Sequence, residues 1–256
     1  MIKVNPTTNL IGISIRGDYA DFNDLIDSIY RLTSFDDDLH DFHYGVKNRL
    51  LGLCYDVRHA YMGDRDVVLE DNGMSREKMR YYGVITSAQN VYYSVNVLFP
   101  EAIFVAASVP NMYIYSSRYY GKRATKAADP LQPAFPYSDY IKDQANLDVL
   151  CASIWKALGQ VIGEEELEKI LTLLQRTEEE YFDYATLYID KCNMELFKAT
   201  VDKRPDKLKS IAKRIIKKST SYYNLENDLK CSAKISNTNI YELEDPSIVY
   251  PDEIEW

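Results

Sequence analysis

Within LLGLCYDVRHAYMGDRD, residues 50–66, Asp56 lies three positions before His59 and Tyr55 lies four before it. On an α-helix those spacings turn all three side chains toward one side. An imidazole oriented by a carboxylate, with a phenol beside it, can move protons near neutral pH, so Asp56, His59 and Tyr55 form the candidate catalytic set. The plainer reading is three hydrogen-bonded helix neighbours, because no nucleophile or recognised catalytic pattern accompanies them. Arg49, Arg58, Asp64 and Arg65 would then tie the helix end to a neighbouring sheet.

Metal-ligand residue types crowd in SFDDDLHDFH, residues 34–43. His40 and His43 are three apart and Asp38 adds a carboxylate, a donor set that suits zinc, manganese or iron, with His59 or Asp56 available to join. The order fits neither HExxH nor an EF-hand, and a solvated acidic turn explains the same composition. No Walker or GxGxxG pattern occurs, so no cofactor is expected.

A third constellation is basic. Lys209, Lys213 and Lys217 recur at i+4 on a helix opened by Pro205, while YELEDPSIVYPDEIEW, residues 241–256, holds six carboxylates and no Lys or Arg. The stripe could meet nucleic acid or an anionic surface, or the tail could fold onto it as a latch. The formal net charge of −9 opposes general attraction to phosphate backbones, so nucleic acid is not the favoured partner.

The elements that position these residues follow from hydrophobic spacing. Leu10, Ile11, Ile13 and Ile15 predict a strand ended by Gly17, and Phe22, Leu25, Ile26, Ile29 and Leu32 a helix capped by Asp21. Val46, Leu50, Leu53, Val57 and Tyr61 predict a core helix from Tyr44 to about Met62, stopped by Gly63. RDVVLE, YYGVIT and NVYYSVNVLF read as strands, the last two as an antiparallel pair. Pro100 and Glu101 open a helix to Val109, where Pro110 interrupts. Residues 118–136 hold three prolines and read as a linker or exposed loop.

Farther on, Leu147 to Val161 marks a helix, and Leu167 to Tyr188 follows 3,4 spacing along another. Unbroken from Glu164 to Thr200, the latter would span roughly 55 Å, too long for a small core to cover. Tyr181, Tyr184 and Tyr188 on its later turns are therefore expected to form a contact with a protein partner or a second copy, with Lys209, Lys213 and Lys217 beside them.

These elements predict an α+β protein: a small antiparallel or mixed sheet with covering helices over 1–117, the loop at 118–136, a helical region over 137–223 and an acidic tail over 224–256. No run of about 18 apolar residues and no signal-peptide pattern is present, which predicts a cytoplasmic protein without membrane contact. Four widely spaced cysteines support neither a zinc finger nor a disulfide framework.

GDYADF, RLLGLCYDVRHAYMGDRD and NVYYSVNVLFPEAIFVAASVP together resemble a family of uncharacterised bacterial proteins, chiefly Gram-positive, that carries a domain of unknown function. The resemblance covers roughly residues 5 to 115 and leaves the helical C-terminal half outside. It implies no activity, and it suggests a mobile-element or anti-phage setting. The expected function is a non-catalytic interaction or assembly subunit, with a metal-dependent hydrolase or nuclease using Asp56 and His59 as the alternative.

Overall fold

The computed structural model describes residues 1–33, 42–121, 134–177 and 181–256. Four strands, β1 (Lys3–Pro6), β2 (Gly12–Gly17), β3 (Asp66–Asp71) and β4 (Gln89–Leu98), form one antiparallel sheet in the order β1-β2-β4-β3. Register sets the faces: Val4 pairs with Ile15 and Ile15 with Val95, and all three are buried toward the helices. One residue along, Lys3, Arg16 and Ser94 share the opposite, polar face, as the period of two requires. Pro6 is tolerated because β1 is an edge strand.

Nine α-helices occur among the described residues. Helix α1 (Tyr19–Thr33) starts one turn earlier than its apolar spacing suggests. Its cap is Asp18, whose carboxylate accepts from the Asp21 amide at 2.8 Å, while Asp21 accepts back from the Asp18 amide at 3.2 Å. That reciprocal pair satisfies two amides left over at the helix start. Helix α2 (Tyr44–His59) continues into a wider turn, Ala60–Asp64, and Gly63 at φ +90° ends it, a conformation that glycine adopts without penalty.

YYGVIT is not a strand. Ser75 accepts from the Lys78 amide and starts a short helix α3 (Arg76–Tyr82), which contains both tyrosines, and Gly83 closes it in the left-handed region. β4 accordingly pairs with β2 and β3. Helix α4 (Phe99–Ser116) runs straight through Pro110 rather than ending there.

Helix α5 (Tyr137–Ile162) packs against α1, α4 and β1, so the two halves share one core running from Val4 to Leu229. Arg31 of α1 and Asp143 of α5 cross that junction as a bidentate pair at 2.7 Å, and Asp143 also accepts from Ser28 and Tyr120. The 164–200 segment is two helices, α6 (Glu164–Arg176) and α7 (Leu187–Phe197). Between them Asp183 takes φ +48°, which a helix cannot contain. Helices α8 (Arg204–Lys217) and α9 (Thr220–Ser236) follow, so the helical region extends past residue 223 into the segment read as tail. No helix among the described residues is long and apolar enough to cross a membrane. Cys54, Cys151 and Cys192 are buried thiols and Cys231 is exposed.

Candidate functional site: a cleft at the sheet edge and an uncovered arm

A cleft of about 1050 Å³ opens where β3 stops short of β4. The last pair of the ladder is Asp66 opposite Ser94. Two bonds fix which way the backbone of β4 points: the Phe99 amide donates to Ile11 on the β2 side, and Ala88 accepts from the Asn72 amide on the β3 side. Alternation then turns the odd residues of β4 to β2 and the even ones to β3. Because Gly63 turns the chain away before Asp64 can pair with Asn96, the N–H and C=O of Asn96 and the N–H of Leu98 face the cleft. They have no backbone partner among the described residues.

Helix α2 supplies one wall and the segment Tyr250 to Trp256 another. Gly52 leaves that wall open, since a Cβ there would have nothing within 4 Å. At the inner end Arg49 donates to Glu101 at 2.6 Å, to both oxygens of Asp190 and to the Thr186 carbonyl at 2.9 Å. Tyr250 donates to Asp190 at 2.7 Å, and the Asn193 amide donates to Glu101 and to the Tyr250 oxygen. One guanidinium thus serves two carboxylates. Burial outweighs the attraction of Arg49 and, with the Asp190 charge beside it, pushes the Glu101 carboxyl above its usual range.

The candidate catalytic set is not assembled. Asp56 lines the cleft and pairs with Arg65 at 3.2 Å. His59 is held through Nδ1 by Asp64 at 2.8 Å rather than by Asp56. Tyr55, 53% exposed, lies against the His59 ring with centroids 4.3 Å apart, and neither residue lines the cleft. Of the residues expected to tie the helix end to the sheet, Arg65 pairs with Asp56 of α2, whereas Arg49 binds Glu101 and Asp190 on other helices and Asp64 binds His59.

Of the metal set, His40 and Asp38 lie outside the described residues. His43 is buried between Tyr115 and Phe182, with ring centroids 4.3 and 4.5 Å away. It precedes α2 while His59 ends it, and 16 residues of helix separate them by about 24 Å. No ion can join the two. Among the described residues no group of three His, Cys, Asp or Glu could hold a metal.

The expected partner contact is also corrected. Tyr181, Tyr184 and Tyr188 are 3%, 0% and 3% exposed, packed within this chain against Phe104 and Tyr222. With the long helix ended at Arg176, where Thr177 turns extended, they turn into the core. Lys209 pairs with Asp206 and Lys213 with Glu166 of α6, and Lys217 is exposed. The tail does not latch onto this stripe: Asp245 pairs with Lys191 of α7 at 3.1 Å.

Surplus surface lies elsewhere. From Met62 to Val91 not one residue is buried. Val67, Leu69 and Val91 continue the apolar face of the sheet beyond the reach of the helices, at 50%, 56% and 44% exposure, and Tyr81, Tyr82 and Ile85 lie bare on and after α3. β3 is the open edge of the sheet.

The fold and these two surfaces define an α+β domain with a sheet-edge cleft and a projecting arm. The chain belongs to the family described as a domain of unknown function (DUF6904), which matches residues 2–256. That match takes in the helical C-terminal half, so the resemblance is not confined to the N-terminal part. No curated protein and no solved structure matches the chain.

Proposed function

We propose that this protein is a non-catalytic cytoplasmic assembly subunit that self-associates through its arm, with bacterial anti-phage defence as its setting. What carries the reading is the arm itself: apolar sheet residues, two tyrosines and an isoleucine with no cover. A contiguous apolar patch of this kind marks an interaction surface. Tyrosines offer about 150–250 Å² each, so the two of one arm supply roughly half of the about 800 Å² per partner of a standard interface, and Val67, Leu69, Ile85 and Val91 add to it.

A second copy fits the charges. An isologous contact must be complementary to itself. Pairing β3 directly with its own copy would set Asp66 against Glu70 or Asp71, a like-charge clash. Laying α3 of one copy on the apolar face of β3 of the other brings Arg76 or Arg80 to Asp71, which shares that face, with Tyr81, Tyr82 and Ile85 over Val67 and Leu69.

Sedimentation of the full chain across micromolar concentrations tests this. The wild type is expected to form dimers, and Tyr82→Glu with Ile85→Glu to sediment as a monomer with an unchanged circular-dichroism spectrum. A wild type that stays monomeric throughout, or dimers that survive the double substitution, would refute it.

A further inference from the structure

We propose that the cleft binds an extended peptide bearing Lys or Arg, added as a strand on the open edge of β4. This goes beyond self-association and rests on different residues. Three backbone groups of Asn96 and Leu98 face the space that β3 vacates, and an added strand is the polypeptide partner that satisfies such groups in series. The space is large enough, about 1050 Å³, and Gly52 keeps a helix wall from closing it.

Charge selects the occupant. Five carboxylates and two arginines line the cleft, an excess of three negative charges when all are ionised. Arg49 is fully engaged with Glu101, Asp190 and Thr186, and Arg65 with Asp56, which leaves no cation free to receive an acidic ligand. Asp66, the first residue of β3, has no ion pair among the described residues, although it lies beside the open edge. Leu53, Val97 and Trp256 give apolar cover for the stretches between basic side chains. An extended chain with basic residues flanking apolar ones meets each of these demands, whereas a nucleotide or an acidic peptide meets unbalanced carboxylates.

The probe is a fluorescein-labelled pentapeptide, lysyl-valyl-arginyl-valyl-lysine with blocked ends, read by anisotropy against the full chain. An acidic twin has glutamate at the three basic positions, and a third peptide carries N-methyl groups on alternate backbone amides. The basic peptide is expected to bind, more weakly as salt rises, and the acidic twin and the methylated peptide not to bind. Gly52→Leu fills the cleft from a helix position where leucine is favoured over glycine, so it should abolish binding while melting no lower than the wild type. Asp56→Asn with Asp66→Asn should weaken binding about tenfold or more. Equal binding of the acidic or methylated peptide, unchanged binding by a folded Gly52→Leu variant, or no binding of the basic peptide would each overturn the proposal. Sedimentation of the same samples reports self-association separately, so failure of one reading is distinguishable from failure of the other.

Discussion

The tyrosines of the helical half and those of the arm have the same chemistry and opposite fates. Tyr184 is fully enclosed, 4.7 Å from the ring of Phe104 and 4.6 Å from that of Tyr222, and Tyr222 in turn accepts the Ala185 amide. Tyr81 and Tyr82 are 84% and 64% exposed, edge to face with each other and little else. The difference lies in what the neighbouring backbone allows. The chain leaves the helix after Arg176, where Thr177 is extended, and its tyrosines fold inward, whereas Ser75 and Gly83 bound a helix of only seven residues at the tip of a hairpin. A seven-residue helix is too short to be stable on local interactions. The arm therefore borrows its order from the strands at its root and leaves its apolar groups available.

Truncation separates the two regions most sharply. Tyr184→Ala should cost about 3–5 kcal/mol, as enclosed aromatic side chains do. Tyr82→Ala should shift the stability of the isolated monomer by less than about 0.5 kcal/mol. Denaturant titration at a concentration below self-association measures both. Similar losses at the two positions would mean that the arm is packed after all.

Long periodic segments were legible before any coordinates. The apolar spacing of α1 and α2 places their buried faces where they are, Pro100 stands in the first turn of α4, and Gly63 ends α2 as expected. Tail-ward the same spacing misled: Leu167 to Tyr188 keeps helical rhythm, yet the helix ends at Arg176 with Thr177 extended, and Asp183 farther on takes a positive φ. YYGVIT is rich in β-favouring residues, but the Ser75 cap upstream starts a helix that takes in both tyrosines. The cleft was hidden for another reason. Arg49, Glu101, Asp190 and Tyr250 lie far apart in sequence and meet only in the fold. The one local signal was a charge set among apolar neighbours, Arg49 beside Leu50, Leu51 and Leu53, and Glu101 ahead of AIFVAASV. The open edge of β4 leaves no mark in residue types, because it arises from where a neighbouring strand ends.

Even inside the packed body, two arginine sites differ in how well they are balanced. Arg31 makes its short bidentate contact with Asp143 and a longer one with Asp27 at 3.9 Å, and Asp143 is saturated by Arg31, Ser28 and Tyr120. Asp143→Ala takes the principal partner from a half-buried guanidinium and should cost about 3 kcal/mol. At Arg49 the second carboxylate, Glu101, is held above its usual value by burial. A carboxyl raised in the folded state adds stability that is full below its unfolded value, about 4.3, and is lost as pH rises through the folded one. Glu101→Gln should therefore leave the melting temperature at neutral pH unchanged or raised, and should remove the gain that Glu101 gives the wild type as pH falls from neutral toward 4.3. A lowered melting temperature at neutral pH would place Glu101 with Asp143 as a stabilising partner.

The segment 238–256 shares the low burial of the arm yet is fixed by polar contacts, which predicts a smaller and reversible effect. Asp245 accepts from the Ser247 amide and hydroxyl at 2.9 and 2.6 Å and pairs with Lys191 at 3.1 Å. Farther along, Asn9 donates to the Glu255 carbonyl, and Trp256 lies so close over Gly12 that a Cβ there would come within 2.8 Å of its ring. The hydrogen bonds from Ser247 and then the charge of Lys191 pull the Asp245 carboxyl down to about 2. A depressed carboxyl adds stability above its unfolded value, about 3.9, and that contribution is lost as pH falls from there toward 2. In a Trp155→Phe background, Trp256 emission should accordingly shift to the red over that window in the wild type. Asp245→Asn, which keeps the Ser247 contacts but loses the ion pair, should start partly shifted at neutral pH and respond less to acid. An emission maximum indifferent to both acid and substitution would mean that contact with Gly12, rather than the Asp245 anchor, holds this segment in place.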